Sequence, residues 1–569
     1  MNVPVYWLSF HEGIDSRGPW DTGLLERLFA HHFGADGYEY EHRVASSIEP
    51  GPLGVVVLPA RHHASVEDVI RLNAEMAKLD AVLLIISGDE EGIFPWRDVD
   101  HDRIRFWVMM PKPGVHDDMA DWAWFFGTGC KPGTAGQLQA GHPADVLRLK
   151  DTAWFFAGQV THPRRKQAVN AMRRLDKRVP GRLLETEGFT RGFARSDYLE
   201  FLLGAKVAPC PSGPKTVDSM RFYEALEAGC CPLVDGVTPN GEDRWWNLYW
   251  RRDKFPVPPV VDWDADIGYV QEALDVFPLW NAEWMAWWQT EKVRHARRLR
   301  DDLDALDVLW PDDPKASRTK LTVVISTSPT PMSAEEQFEM LETTLLSART
   351  SLPLGLAVDY VDYVIAADGV RPEHKDFELE YRHFLFMVGW AVNHRWENAQ
   401  LHIGAEHKHQ AGTARDALRL VDTPLLLMME HDTPLVTDEP IDWPAILDLM
   451  EWGGVDVLRF HHEAGIHPDH EYLMLDHRNR EMVGVPVRRT RQWSQRPHVT
   501  SAAYYRNMLD EHFSRSSRAF IEDRMHSVAQ EERFRNRLAI YCPPGGNIKR
   551  SYHLDGRRGA PKLDETQVF

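Results

Sequence analysis

The apolar run Leu425-Leu426-Leu427-Met428-Met429 ends abruptly on Glu430-His431-Asp432-Thr433-Pro434, and no other stretch limits the folds open to this chain as firmly. An unbroken apolar run of this length suits a strand buried on both faces, as in a parallel sheet covered by helices. Just before it, Gly412 and Thr413 open a predicted helix whose apolar positions Ala414, Ala417, Leu418 and Val421 fall at helical spacing. Two carboxylates are thereby set at the carboxyl end of a buried strand, where open α/β sheets hold their ligands. Hard cations such as Mg²⁺ or Mn²⁺ take oxygen ligands and can bridge such a carboxylate to a diphosphate. A solvated turn after a strand would account for the acids equally simply.

The chain has 569 residues, too many for one ordinary core, and two to four structural units are expected. It is 43% apolar with 21 Trp and 24 Phe, a globular composition. No run approaches the roughly 18 uninterrupted apolar residues of a membrane span. The start Met-Asn-Val-Pro-Val-Tyr-Trp lacks the basic and apolar regions of a signal peptide, so a cytoplasmic location is expected. Five cysteines without a CxxC pair argue against a disulfide framework and a four-cysteine zinc site. With 65 basic and 85 acidic residues the net charge is −20, which disfavours sequence-independent binding to nucleic acid or anionic membrane.

Residues 3 to 8, Val55 to Leu58 and Ala81 to Ile86 read as buried strands with helices between them, the β/α alternation of a parallel sheet. A Gly- and Pro-rich break spans Pro111 to Pro143, and a second alternating unit opens with Thr152 to Gly158. Gly158 leads into a basic helix where backbone N–H groups and Arg164 or Arg165 can meet phosphate. Further on, Ala-Pro-Cys-Pro-Ser212-Gly213 precedes a helix bearing Arg221 and Glu224 and the turn Ala-Gly-Cys-Cys-Pro. The tryptophans Trp284, Trp287 and Trp288 sit at helical spacing and are expected to pack a core. The helix that follows closes at Trp310-Pro311-Asp-Asp-Pro314, which makes residues 310 to 320 the expected linker.

Two resemblances follow from these motifs. The segment from Tyr198 to Asp235 resembles the nucleotide-sugar lobe of GT-B glycosyltransferases, above all the exostosin family, which implies a phosphate or helix-orienting role for Arg221, a ribose role for Glu224 and nucleotide-sugar contacts for Ser212 and Gly213, a set that Arg164 of the basic helix after Gly158 is expected to join. The helix-strand-acid unit at 412–435 resembles the DxD-type motif of GT-A glycosyltransferases, with Glu430 in the first acidic position. Around it, Leu321 to Pro329 resembles the first GT-A strand and its nucleotide-receiving loop, which gives Ser326 and Thr327 that role. Asp368 ends a second strand like the acid placed near base or ribose, and Arg415 and Glu430 join the nucleotide-sugar set. Asp432 is the implied ligand of Mn²⁺ or Mg²⁺, joined by a carboxy-terminal histidine, His553. Phe520-Ile-Glu-Asp resembles the motif that supplies a general base, for which Asp523 is the first candidate and Glu522 its rival. Segment 461–470 is rich in histidine but has no closed zinc spacing, and a polar loop over the site is expected instead.

The expected architecture is therefore α/β throughout: an exostosin-like GT-B half over 1–312, with Rossmann-like lobes about 1–135 and 136–312, then a GT-A half over 318–569. The implied activity is transfer of a hexosyl or pentosyl group from a nucleotide sugar, with a UDP-sugar the expected donor, to a glycan or other hydroxyl acceptor. Two transferase sites are expected, with a metal in the second half and no cofactor in the first. One alternative makes one half an inactive module that binds acceptor or partner. Another is a transferase acting on modified bases of DNA, which would use the basic islands at 292–300, 488–496 and 549–558 against the overall negative charge.

Overall fold

The computed structural model describes residues 2–11, 23–31, 39–130, 134–138, 141–187, 194–250, 254–306, 321–352, 362–396, 398–514, 518–531 and 537–554. The linker expected at 310–320, and Asp555 and Gly556 beyond His553, lie outside them. The chain divides into two compact units, residues 1–313 with 389–397, and residues 314–388 with 398–569. The units are thus not contiguous in sequence.

The first unit holds two parallel sheets. One is built from β1 (Asn2–Leu8), β2 (Glu39–Ala45), β3 (Gly54–Pro59), β4 (Val82–Ser87), β5 (Ile104–Met109) and β6 (Ala123–Phe126), in the order β2-β1-β3-β4-β5-β6. β6 falls inside the stretch expected to be a structural break; Phe125 and Phe126 are buried there, so the Gly and Pro residues frame a short edge strand. The other sheet has β7 (Thr152–Gly158), β8 (Arg182–Glu185), β9 (Ala205–Cys210) and β10 (Cys231–Val234), in the order β10-β9-β7-β8. The central strands are apolar because helices cover both faces: all six residues of β4 are buried. The helix Val66–Met76 starts where Ser65 and Asp68 form a reciprocal capping box. Trp284 and Trp287 meet edge to face at 5.5 Å in the core, as helical spacing implied.

The second unit is one mixed sheet of β11 (Leu321–Thr327), β12 (Asp362–Ala367), β13 (Ala399–Ile403), β14 (Leu425–Glu430), β15 (Val457–Arg459), β16 (Arg480–Met482), β17 (Val485–Thr490), β18 (His498–Ser501) and β19 (Leu538–Tyr541). Its order is β13-β12-β11-β14-β18-β15-β19-β17-β16. β11 to β14 are mutually parallel, and β18 runs antiparallel to both β14 and β15. The strands β12 and β13 extend the sheet on one side of β11 and β14 on the other, so a topological switch point lies between β11 and β14, where such sheets open a crevice at their carboxyl ends.

One local expectation shifts. The helix before β14 is His409–Ala417, so Gly412 and Thr413 stand inside it and do not open it. The reason is tertiary: the Asp368 carboxylate accepts the N–H groups of Lys408 at 2.7 Å and His409 at 2.9 Å, which anchors the helix start earlier than local sequence signals. Gly369 makes this approach possible, because a Cβ there would lie 2.2 Å from the main-chain carbonyl carbon of Glu406. Gly369→Ala is therefore expected to destabilise this unit by about 1–3 kcal/mol, read as a lower urea midpoint. Gly465→Ala, whose Cβ would meet nothing within 4 Å, serves as the near-neutral control.

Candidate active site

At the switch point of the second unit the register sets Ser326 beside Glu430 and Thr327 beside Ala367, so three adjacent parallel strands end together. Here a cleft of about 460 Å³ opens, lined on one side by the loop Ser326–Pro331 and on the other by Asp368, Arg371, His374 and Phe377. Its remaining wall is His409, Gln410, Thr413, Glu430, His431, Asp432 and Phe520. The volume suits a ligand of nucleotide size.

Asp368 is 4% exposed and takes N–H groups from Gly369, Lys408 and His409, while His407 Nδ1 lies 2.7 Å from its Oδ2. The cleft-lining carboxylate is therefore largely engaged by its own fold. Glu430 Oε1 accepts from Gln410 Nε2 at 2.5 Å, and Gln410 Oε1 accepts the N–H of Ile521 at 3.0 Å. Gln410 thus links the end of β14 to the start of the helix Ile521–Glu531. His431 is held through its backbone, its N–H donating to the Ser326 carbonyl and its carbonyl accepting from Thr344 Oγ1.

Asp432 and His553 meet although they are far apart in sequence. His553 Nε2 lies 3.4 Å from Asp432 Oδ2, and the Leu554 N–H donates to the Asp432 carbonyl at 2.7 Å. Backbone pairing brings the carboxy-terminal segment there: Ser551 bridges Leu435, and the Tyr552 N–H donates to the Pro434 carbonyl. Among the described residues no group of three or more His, Cys, Asp or Glu side chains is arranged to hold a metal. The donor set is an acid and an imidazole at an open cleft.

Glu522 and Asp523 diverge in the first turn of their helix. The Glu522 carboxylate accepts weakly from the Gln495 N–H at 3.5 Å and draws on the buried Arg459. Asp523 is exposed and acts on the cleft-lining His409. Burial, with Arg371 and His407 nearby, pushes the His409 imidazole below its ordinary range against the opposing pull of Asp368 and Asp523, so His409 is neutral at pH 7.

Arg415 does not join the site. Its guanidinium donates to the carbonyls of Leu509, Phe513 and Ser514, where the helix Ala502–His512 leaves its last acceptors. Sequence reading missed Arg371, His374 and Gln410. A cation three residues after Asp368 was a usable signal for Arg371, but Gln410 matters only through partners that the tertiary fold delivers.

In the first unit the residues singled out by sequence gather at the β7/β9 switch point and are engaged internally. Arg164 Nε donates to Asp235 Oδ1 at 2.8 Å, the Ser212 N–H donates to Asp235 Oδ2, and the Gly213 N–H donates to the Thr216 carbonyl. Arg221 Nη2 donates to the Ala157 carbonyl at 2.6 Å, and Glu224 accepts from Arg195 Nη1 at 3.1 Å and Tyr198 Oη at 2.9 Å.

No protein-family model matches the chain, and no curated protein matches it. Among solved structures, S. aureus TarS 1-349 aligns at TM-score 0.26 and 12% identity over 41% of this chain and 60% of that one. GalNAc-T7, solved with UDP, GalNAc and Mn²⁺, aligns at 0.26 and 9% over 39% of this chain and 42% of that one. The mannosyltransferase PcManGT from Pyrobaculum calidifontis, solved with GDP-Man and Mn²⁺, aligns at 0.25 and 13% over 47% of this chain and 70% of that one. This chain therefore spans less than two thirds of the first two, and at these scores the likeness carries no weight for function. No helix among the described residues is long and apolar enough to cross a membrane.

The bonds made by Glu224 decide what its loss should do. Glu224→Ala is expected to lower the melting temperature of the full chain, because Arg195 and Tyr198 lose a buried charged acceptor, and to leave UDP affinity by calorimetry unaltered. Weaker UDP binding at unchanged stability would support the ribose role instead.

Proposed function

We propose that the second unit is a metal-assisted glycosyltransferase that moves a sugar from a nucleotide sugar, with UDP as the expected nucleotide, to an acceptor hydroxyl. The observation that carries this reading is the joining of Asp432 and His553 beside a nucleotide-sized cleft at the β11/β14 switch point. Its donor set fits a hard cation, since Mg²⁺ and Mn²⁺ commonly use one or two protein ligands and take the rest from phosphate and water. When bound, such a cation would neutralise charge on the leaving diphosphate.

The chain's own residues supply the remainder. Ser326 to Pro331 and Arg371 border the cleft on both sides of the diphosphate position, and Arg371 adds positive charge where phosphate oxygens would lie. Asp368 shapes the nucleotide end by fixing the start of the helix His409–Ala417. The Asp523 carboxylate is the proposed acceptor of the hydroxyl proton, since it is exposed next to His409 whereas Glu522 is turned toward the Gln495 N–H.

For the first unit we infer a GT-B-like α/β module that does not itself transfer sugar. Support comes from Arg164, Arg221 and Glu224, each of which is committed to a bond within the unit.

Transfer and UDP binding measured with and without Mn²⁺ test the proposal on the full chain. Asp432→Ala is expected to abolish metal-dependent UDP binding and transfer. Asp523→Asn should keep binding and lower turnover by roughly 10²- to 10⁴-fold, the range for loss of a general base. Full activity in chelator, or normal turnover by Asp432→Ala, would sink the metal-assisted reading.

A further inference from the structure

The sheet edge that carries the acidic rim of the cleft also carries a cationic cluster. β14 pairs Met428 with His498, and β15 pairs Arg459 with His498. Arg496 lies two residues before His498, and the Phe460 N–H donates to the Pro497 carbonyl at 2.8 Å. Arg459 is 6% exposed, and its guanidinium reaches the neutral Gln492 Oε1 at 3.4 Å while Nε has no hydrogen-bond partner. His461, His462 and His498 each keep at least one buried ring nitrogen without a hydrogen bond among the described residues. The nearby carboxylates do not close the cluster: Glu463 lies 3.6 Å from His462 Nε2 and 4.0 Å from His461 Nε2, and Glu522 acts on Arg459 through its charge alone.

Burial together with the guanidinium groups of Arg459 and Arg496 holds His461 and His462 down at about 3, and burial with Arg459 holds His498 at about 4, so the rings are neutral at pH 7 with one N–H each, that of His498 being donated to the Arg496 carbonyl. Arg459, which burial lowers to about 10, remains a cation. Buried donors left unpaired are costly, and a buried cation without a close counter-charge more so, which makes such a cluster a place for a ligand. Two guanidinium groups repel a metal ion. They attract an anion.

We propose that Arg459, His461 and His462 form a subsite for an anionic group, a phosphate or a carboxylate, carried by the acceptor, with Arg459 as the cationic anchor and the imidazoles as neutral hydrogen-bond donors. The inference rests on the glycosyltransferase reading of the neighbouring cleft. The link to that cleft is His553, which acts on His462 and also lies beside Asp432.

The test uses the full chain saturated with UDP and Mg²⁺, titrated by calorimetry with inorganic phosphate and, separately, acetate. Saturable binding of at least one ion is expected; phosphate alone points to a phosphorylated acceptor and acetate to a carboxylated one. Arg459→Gln should weaken that binding roughly tenfold or more, as expected for loss of a charge-assisted hydrogen bond, with UDP affinity retained. His462→Gln, at a less buried position, should weaken it in the same direction and serves if the Arg459 variant does not fold. No saturable binding of either ion, or binding that UDP displaces, overturns the subsite. A wild-type chain that binds phosphate but not UDP removes the transferase reading and with it the acceptor role, while a chain that binds UDP but neither ion removes only the subsite.

Discussion

The arrangement of the second unit depends on the Asp368 carboxylate. It ends β12 and gathers the N–H groups of Gly369, Lys408 and His409, which fixes where the helix His409–Ala417 begins. The next residue in that helix, Gln410, then stands between Glu430 and the Ile521 N–H. One buried acid therefore sets the position of a strand-end acid and of the helix that carries Glu522 and Asp523. Hydrogen bonds to a charged acceptor are about twice as strong as neutral ones, and at 4% exposure this acid has little water to compete for it.

Buried charge is handled in two ways. In the first, charges close on each other: Arg164 is paired with Asp235, which also takes the Ser212 N–H and Trp263 Nε1. Such closed sets fix a single packing and offer little to a ligand. In the second, seen at the carboxyl edge of the nine-stranded sheet, acids predominate at the cleft and cations gather beyond it. Glu430, Asp432 and Asp368 rim the cleft together with Arg371, while Arg496 leads into β18 and Arg459 ends β15, one and two strands beyond β14. Separated zones of opposite sign suit a reaction with two anionic participants, one held through a cation and one held directly.

His553 joins these zones. Its approach to Asp432 needs no local helix or strand motif, only the pairing of residues 549–552 with Pro434, Leu435 and His461. A carboxy-terminal segment that is stitched by backbone bonds to the turn after β14 brings an imidazole to the acid with both partners pre-positioned, which lowers the ordering cost of binding.

The α/β class, the central strands and the acids at their carboxyl ends were legible in the sequence, because burial on both faces demands unbroken apolar runs and the polar residues that stop them are local. Asp432 and His553 could be named in advance as one set, and Arg371 carried a signal of its own. The sequence could not tell that Arg415 caps the carboxyl end of the helix Ala502–His512, that Gln410 bridges two elements, that Glu522 turns toward Gln495 while Asp523 acts on His409, or that the charge of the buried Arg459 is felt by His461 and His462. Periodicity reports which face of an element is buried and is silent on its partner across the sheet. Those partners are fixed by strand order and register, here β18 inserted between β14 and β15, and only the folded chain decides them.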